Sequence, residues 1–192
     1  MLNAPSNPSG AIYSAGEIAA LAEVLRRHPQ VMILAAEIYE HLNFVPFTRF
    51  ADAAPDLKQR LLTVNGASKA WSMTGWRIGW GIGPKALIQA MGAVQGQVTS
   101  GACSIAQAAA VAALTGDRAL IDARREALRD RRDRVVSGLN AVTGIDCPSP
   151  DGAFYVFPKI TEAMAAKGFA TDAALCDWLL ETAGVAIVPG RA

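Results

Sequence analysis

The sequence predicts an α/β fold built on a mainly parallel sheet, and three observations carry that expectation. Val31–Ala36, Leu61–Val64 and Ile78–Ile82 are short apolar runs, the pattern of strands covered on both faces. Stretches with apolar residues at helical spacing alternate with them, which is the order of layered α/β domains. The 192 residues are 52% hydrophobic and 18% charged, with a net charge of +1. That is ample material for a core, and it gives no electrostatic reason to expect nucleic acid or an anionic membrane as partner.

The elements follow in order. Asn3-Ala4-Pro5-Ser6-Asn7-Pro8-Ser9-Gly10 is a turn-forming cluster. Ser14 with Glu17 three residues on has capping-box spacing, and Ile18, Leu21, Ala22 and Leu25 form one helical face up to Arg27. Pro29 and Glu37 bound the Val31–Ala36 strand, and Asn65-Gly66 ends the Leu61–Val64 strand. Gly83-Pro84 after the Ile78–Ile82 strand opens a helix to about Val98. Ser104–Leu114 and Arg118 to about Leu139 are further helices. The arginines of the last interleave with Asp122, Glu126, Asp130 and Asp133, as on a solvated, ion-paired face.

Turn-rich Val142–Pro150 marks a boundary, so residues 1–141 and 142–192 are expected as two domains. The second begins a smaller α+β unit: a strand at Ala153–Phe157, a helix at Thr171–Ala183 and a strand at Val185–Val188. The absence of a run of about 18 apolar residues and of an apolar leader predicts neither membrane span nor signal peptide. Cys103, Cys147 and Cys176 form no CxxC pair, and only His28 and His41 could add imidazole. A disulfide scaffold or a zinc site is therefore not expected, and a reduced, cytoplasmic protein is.

The chemistry concentrates in Gly66-Ala67-Ser68-Lys69-Ala70-Trp71-Ser72-Met73-Thr74-Gly75-Trp76-Arg77-Ile78-Gly79. Lys69 follows a small-residue turn at the C-terminal end of a strand, where open α/β sheets bind ligands. A partly desolvated lysine there can form an imine. Arg77, eight residues on, suits a phosphate dianion. An imine-forming lysine beside a phosphate-gripping arginine is the minimal description of a pyridoxal phosphate pocket. The bland alternative is a surface lysine in a loop. A Walker phosphate loop is ruled out, because GxxxxGK[ST] is absent.

The whole Gly66–Gly79 segment resembles the pyridoxal-phosphate attachment signature of class I and II aminotransferases, of the NGxSKxxxMTGWR type. Three further blocks agree in order. Residues 3–10 resemble the family's NxPxNPTG turn, Ala35-Ala36-Glu37-Ile38-Tyr39-Glu40 its SDEIYE block, and Pro150–Pro158 its PxGAFYxFP strand, read as chiefly structural. The resemblance implies a fold-type I architecture: the second half of the cofactor-binding large domain and the start of the small domain. It implies that Lys69 holds pyridoxal 5'-phosphate as a Schiff base and carries the proton between Cα and cofactor. It implies that Arg77 anchors the phosphate and that Asn7 and Tyr39 contact the cofactor's phenolic oxygen; Gly66 stands where some relatives have a phosphate-contacting serine, with Ser68 or Ser72 as the compensating hydroxyl. Amino-acid and 2-oxo-acid substrates and a homodimer follow from the same likeness.

Two departures accompany these matches. Where the family has an aspartate that pairs with the protonated ring nitrogen, this chain has Ala36. Loss of such a buried partner costs about 3–5 kcal/mol, or roughly 10²–10⁴ in rate if it falls on the transition state. Glu37 is no substitute, since adjacent strand side chains face opposite ways. Family members are also about twice as long, which implies that the glycine-rich phosphate-binding helix start and the carboxylate-binding arginine are missing. Arg191 lies too early to be that arginine. A chain so shortened is expected to expose apolar edges and to be poorly stable on its own. A non-catalytic aminotransferase-like remnant, and a lyase or synthase of the same fold type, are the rival readings.

Overall fold

The structure, a computed structural model, describes residues 1–190. Arg191 therefore lies outside the described residues. Contacts divide the chain into two compact units, Met1–Arg131 with Pro150–Tyr155, and Arg132–Ser149 with the chain from Val156 onward.

The first unit holds a four-stranded sheet ordered β1-β2-β3-β4, with β1 Leu2–Asn3, β2 Ile33–Ala36, β3 Leu61–Gly66 and β4 Gly79–Ile82. β1, β2 and β3 run parallel and β4 is antiparallel to β3. The C-terminal ends of β1, β2 and β3 therefore share one edge of the sheet, and the segments carrying Asn7, Tyr39 and Lys69 leave from it.

The capping box forms as expected at helix α1 (Ala15–Arg26): Glu17 N–H donates to Ser14 Oγ, and Ser14 N–H donates to the Glu17 carboxylate at 2.8 Å. Ile18 and Ala22 of α1 pack on Ile33 and Ala35 of β2 and on Leu61 of β3. Phe50 of a short helix α2 (Phe50–Ala53), and Ala54 and Leu57 around the 3₁₀ turn Pro55–Arg60, close that core. No element is expected from the sequence between residues 40 and 60, where α2 and the 3₁₀ turn lie. Arg60 forks back across the end of α1, donating to the carbonyls of Leu25, His28 and Val31 at 2.8–2.9 Å.

Two strand expectations need refinement. β2 is not covered on both faces: Ile33 and Ala35 are buried, while Leu34 and Ala36 are half-buried. The Ile78–Ile82 strand starts one residue later, and β4 pairs on one side only, with Ile82 66% exposed.

Helices α3 (Lys85–Val98) and α4 (Ser104–Thr115) follow, near the expected bounds. α3 buries none of its residues, and Val98 and Ile105 are about 70% exposed. The expected uncovered apolar surface is thus present in this chain. Helix α5 (Ala119–Asn140) carries the interleaved charges, with Arg125–Asp122 and Arg129–Glu126 pairs one turn apart. No helix among the described residues is long and apolar enough to cross a membrane.

In the second unit, α6 (Thr161–Lys167) and α7 (Asp172–Ala183) are the regular elements, and α6 was not read from the sequence. The strands expected at Ala153–Phe157 and Val185–Val188 are absent. A strand needs a ladder partner, and the segments near the first make only the single bridges Asn43–Gly152 and Asp146–Lys159. Val185–Val188 has no partner strand among the described residues.

Candidate functional site

β3 ends at Gly66, and the chain turns at once through Ala67–Trp71. Ala67 and Ala70 are buried at 0–1% exposure, so the turn is seated by its small residues. Ala67 N–H donates to the Ile78 carbonyl, and Arg124 of α5 donates to the Ala70 carbonyl at 3.3 Å. Trp71 meets the His41 ring edge-on at 5.2 Å. This framework holds Lys69 and Ser68, both half-buried.

The Lys69 Nζ lies 5.9 Å from the centre of the Tyr39 ring and 5.7 Å from that of Phe154. Tyr39 follows β2 and is 3% exposed. Its hydroxyl is 2.6 Å from the Tyr155 hydroxyl, and the two rings meet edge to face at 5.7 Å. Burial first, and the Tyr155 hydroxyl second, push the Tyr39 phenol well above its ordinary range. It stays protonated, with a proton to donate.

Arg77 has left-handed backbone (φ 51°) just after the 3₁₀ turn Thr74–Trp76, and donates one N–H to the Thr74 carbonyl at 3.0 Å. With Trp76, Trp80, Met91 and Gln95 it lines an open concavity of about 1230 Å³ between β4 and helices α3 and α4. Lys69 does not line that concavity. Asn7 is exposed, and its carbonyl accepts from Asn3 Nδ2. Of the residues expected from sequence, the structure brings Lys69 and Tyr39 together. Ser68 shares the turn, whereas Asn7 and Arg77 stand outside that contact set.

The Asn3–Gly10 turn is itself tightly joined to the Pro150–Tyr155 segment. Gly152 N–H donates to the Gly10 carbonyl at 2.9 Å, and a Cβ on Gly10 (φ +71°) would come within 2.4 Å of the Pro150 Cβ. Only glycine fits there.

Joined to the lysine turn through the His41–Trp71 contact lies a polar network that sequence reasoning did not assign. The Glu40 carboxylate accepts from Asn65 Nδ2 at 2.9 Å and Arg49 Nε at 2.6 Å, and lies 3.2 Å from His41 Nε2. Arg118 lies 2.9 Å from His41 Nδ1, so that nitrogen is the acceptor and Nε2 carries the proton. Burial and the Arg118 charge both hold the His41 pKa down, against the pull of Glu40. Glu37, 4% exposed, accepts from Phe50 N–H at 3.2 Å on the core side of β2. As expected from strand alternation, it does not stand in for the missing carboxylate at Ala36.

Comparison with known proteins agrees with this architecture. The family model described as aminotransferase class I and II matches residues 1–192. An aspartate/prephenate aminotransferase of Cereibacter sphaeroides is 52% identical over 100% of this chain and 50% of its own length. An aspartate aminotransferase of Rhizobium meliloti is also 52% identical, over 100% and 48%. The crystal structure of the aspartate aminotransferase from Rhizobium meliloti superposes with a TM-score of 0.92 at 50% identity, covering 99% of this chain and 49% of that one. The chain spans about half the length of the curated relatives it matches. A signature around a lysine, carried on a matching backbone over essentially the whole chain, is decisive: this chain belongs to the class I and II aminotransferases.

Proposed function

We propose that the protein to which this chain corresponds transfers an amino group between an amino acid and a 2-oxo acid, using pyridoxal 5'-phosphate attached to Lys69. The carrying observation is the Lys69 amine held beside the buried Tyr39 phenol at the C-terminal edge of the parallel strands. The residues fit the group at two of its ends: an amine for its aldehyde and a neutral phenol for its phenolic oxygen. For the phosphate, Arg77 spends one N–H on Thr74 and has others to offer, with Ser68 as a hydroxyl in the lysine turn.

When bound, pyridoxal 5'-phosphate supplies a carbonyl for the substrate's amine and a ring that accepts electrons from its Cα. The protein's part is to hold and move protons. Lys69 anchors the cofactor, then takes a proton from the substrate Cα as base and returns it as acid. Tyr39, and in this reading Asn7, fix the charge on the phenolic oxygen. Arg77 anchors the phosphate through paired N–H donors. Aspartate, named in the relatives, is the amino donor we favour. Residues 1–141 would form part of the large domain and 142–192 the start of the small one. A homodimer in the cytoplasm is part of the same reading.

Ala36 supports a second reading, in which the cofactor is held but turned over slowly or not at all. One experiment decides the attachment on which the first rests. Mixing the chain with pyridoxal 5'-phosphate should give a visible absorbance band that is lost in Lys69→Ala. No band, or a band that survives the substitution, refutes it.

A further inference from the structure

The Pro150–Tyr155 segment does more than fill space. It is stitched to two separate loops of its unit: Gly152 N–H donates to the Gly10 carbonyl, Ala153 N–H to the Leu42 carbonyl at 2.7 Å, and the Asp151 carbonyl accepts from Phe44 N–H at 2.7 Å. Ala153 is fully buried and takes a left-handed backbone (φ 61°), which any side chain larger than hydrogen adopts at a cost. These constraints hold Phe154 and Tyr155 edge to face against Tyr39 at 5.5 and 5.7 Å, with the Lys69 amine within 6 Å of the Tyr39 and Phe154 rings.

We propose that Tyr155 is a positioning residue that acts through Tyr39: its hydroxyl donates to the Tyr39 oxygen, leaving the Tyr39 proton for an oxyanion beside the Lys69 amine. The two hydroxyls are 2.6 Å apart and carry two protons, of which their mutual bond uses one. Whichever phenol accepts within the pair has its own proton to give outward. A phenol that accepts a hydrogen bond is also polarised into a stronger donor. Tyr39 is the one whose ring lies near Lys69, its centre 5.9 Å from Nζ, so the productive order is Tyr155 to Tyr39 to ligand. The hydrophobic neighbours of the Tyr39 cluster are Leu42, Ala153, Ile38 and, from α5, Leu128. Among the described residues, Tyr155 is the hydrogen-bond partner of the Tyr39 hydroxyl, and Lys69 is the charged group over its ring.

This inference rests on the proposed attachment of pyridoxal 5'-phosphate to Lys69. A donor at the phenolic oxygen holds it anionic and lowers the proton affinity of the nitrogen joining Lys69 to the cofactor. Removing Tyr155's hydroxyl weakens that donor, so the nitrogen should release its proton at higher pH.

The test is a pH titration of the visible band in the chain mixed with pyridoxal 5'-phosphate. Tyr155→Phe keeps the ring and removes one oxygen. It should raise the proton affinity roughly 3- to 10-fold, the scale of one hydrogen bond, in the same direction as Tyr39→Phe. Adding it to Tyr39→Phe should change nothing more. Leu128→Val, which disturbs the packing around Tyr39 but no hydroxyl, should titrate like the parent, and circular dichroism should be the same in all variants. A Tyr155→Phe titration that coincides with the parent, or a shift that persists in the Tyr39→Phe background, overturns the proposal while leaving attachment to Lys69 intact. Absence of any Lys69-dependent band overturns both.

Discussion

Replacing Arg60 by methionine should destabilise the sheet that carries Tyr39 and Lys69, although Arg60 touches neither. Its guanidinium donates to three carbonyls at the C-terminal end of α1 and in the loop leading to β2, adding to the backbone N–H that the Leu25 and His28 carbonyls each already accept. Methionine keeps the apolar stem and removes the fork. Taking about 0.5 kcal/mol for each of the two exposed bonds and about 1.5 kcal/mol for the part-buried bond to Leu25 gives about 2.5 kcal/mol. With a urea dependence of about 2 kcal/mol per molar, the midpoint should fall by about 1 M. The assay is urea unfolding followed by far-ultraviolet circular dichroism, with sulfate added to both proteins to offset the exposed apolar surface. Arg60→Lys, a point charge that cannot fork, should lose much of the same stability. A methionine variant whose midpoint stays within about 0.2 M of the parent would refute the claim that this fork ties α1 to the strands.

Two other outcomes follow from the buried carboxylate and its missing neighbour. Burial foremost, with the Glu40 charge adding, raises the Glu37 pKa above its ordinary 4.5 against the pull of the Phe50 N–H and Arg49. The folded state therefore resists an ionisation that the unfolded chain undergoes freely. This group's contribution to stability should fall as pH rises from 4.5 to the higher folded value, then level off. Glu37→Gln should flatten that part of the stability-against-pH curve, and an unchanged slope would count against it. Ala36→Asp should accelerate the loss of the pyridoxal absorbance on adding aspartate by roughly 10²–10⁴. Stopped-flow rates equal to the parent's would show that a carboxylate at this position is not what limits the chemistry.

Much of the fold was legible because its signals are local. Ser14 and Glu17 fix the start of α1 by reciprocal hydrogen bonds three residues apart, which a sequence displays directly. The lysine turn was legible for a similar reason: Ala67 and Ala70 must be small to be fully buried around Lys69. The strand predicted at Ala153–Phe157 failed because β structure depends on a partner far away in sequence, and apolar alternation cannot supply one. The Glu40 network was invisible because its members sit at 40, 41, 49, 65 and 118 and meet only when folded. The resemblance of Pro150–Pro158 to a family strand marks that block as chiefly structural and does not display that the Tyr155 hydroxyl ends on another tyrosine 116 residues away.

The alternation of burial along Ile33–Glu37 also limits how this site could evolve. Odd-numbered side chains there are committed inward, and Glu37 is already employed by a backbone amide. Recruiting its acid group to the opposite side would require β2 to slide by one residue against β3, everting Ile33 and Ala35. Restoring the acid at residue 36 needs no such rearrangement, since some alanine codons lie a single nucleotide from aspartate. If lineages carrying this chain ever recover an electron-withdrawing partner for the ring, that short genetic step is the route the backbone leaves open.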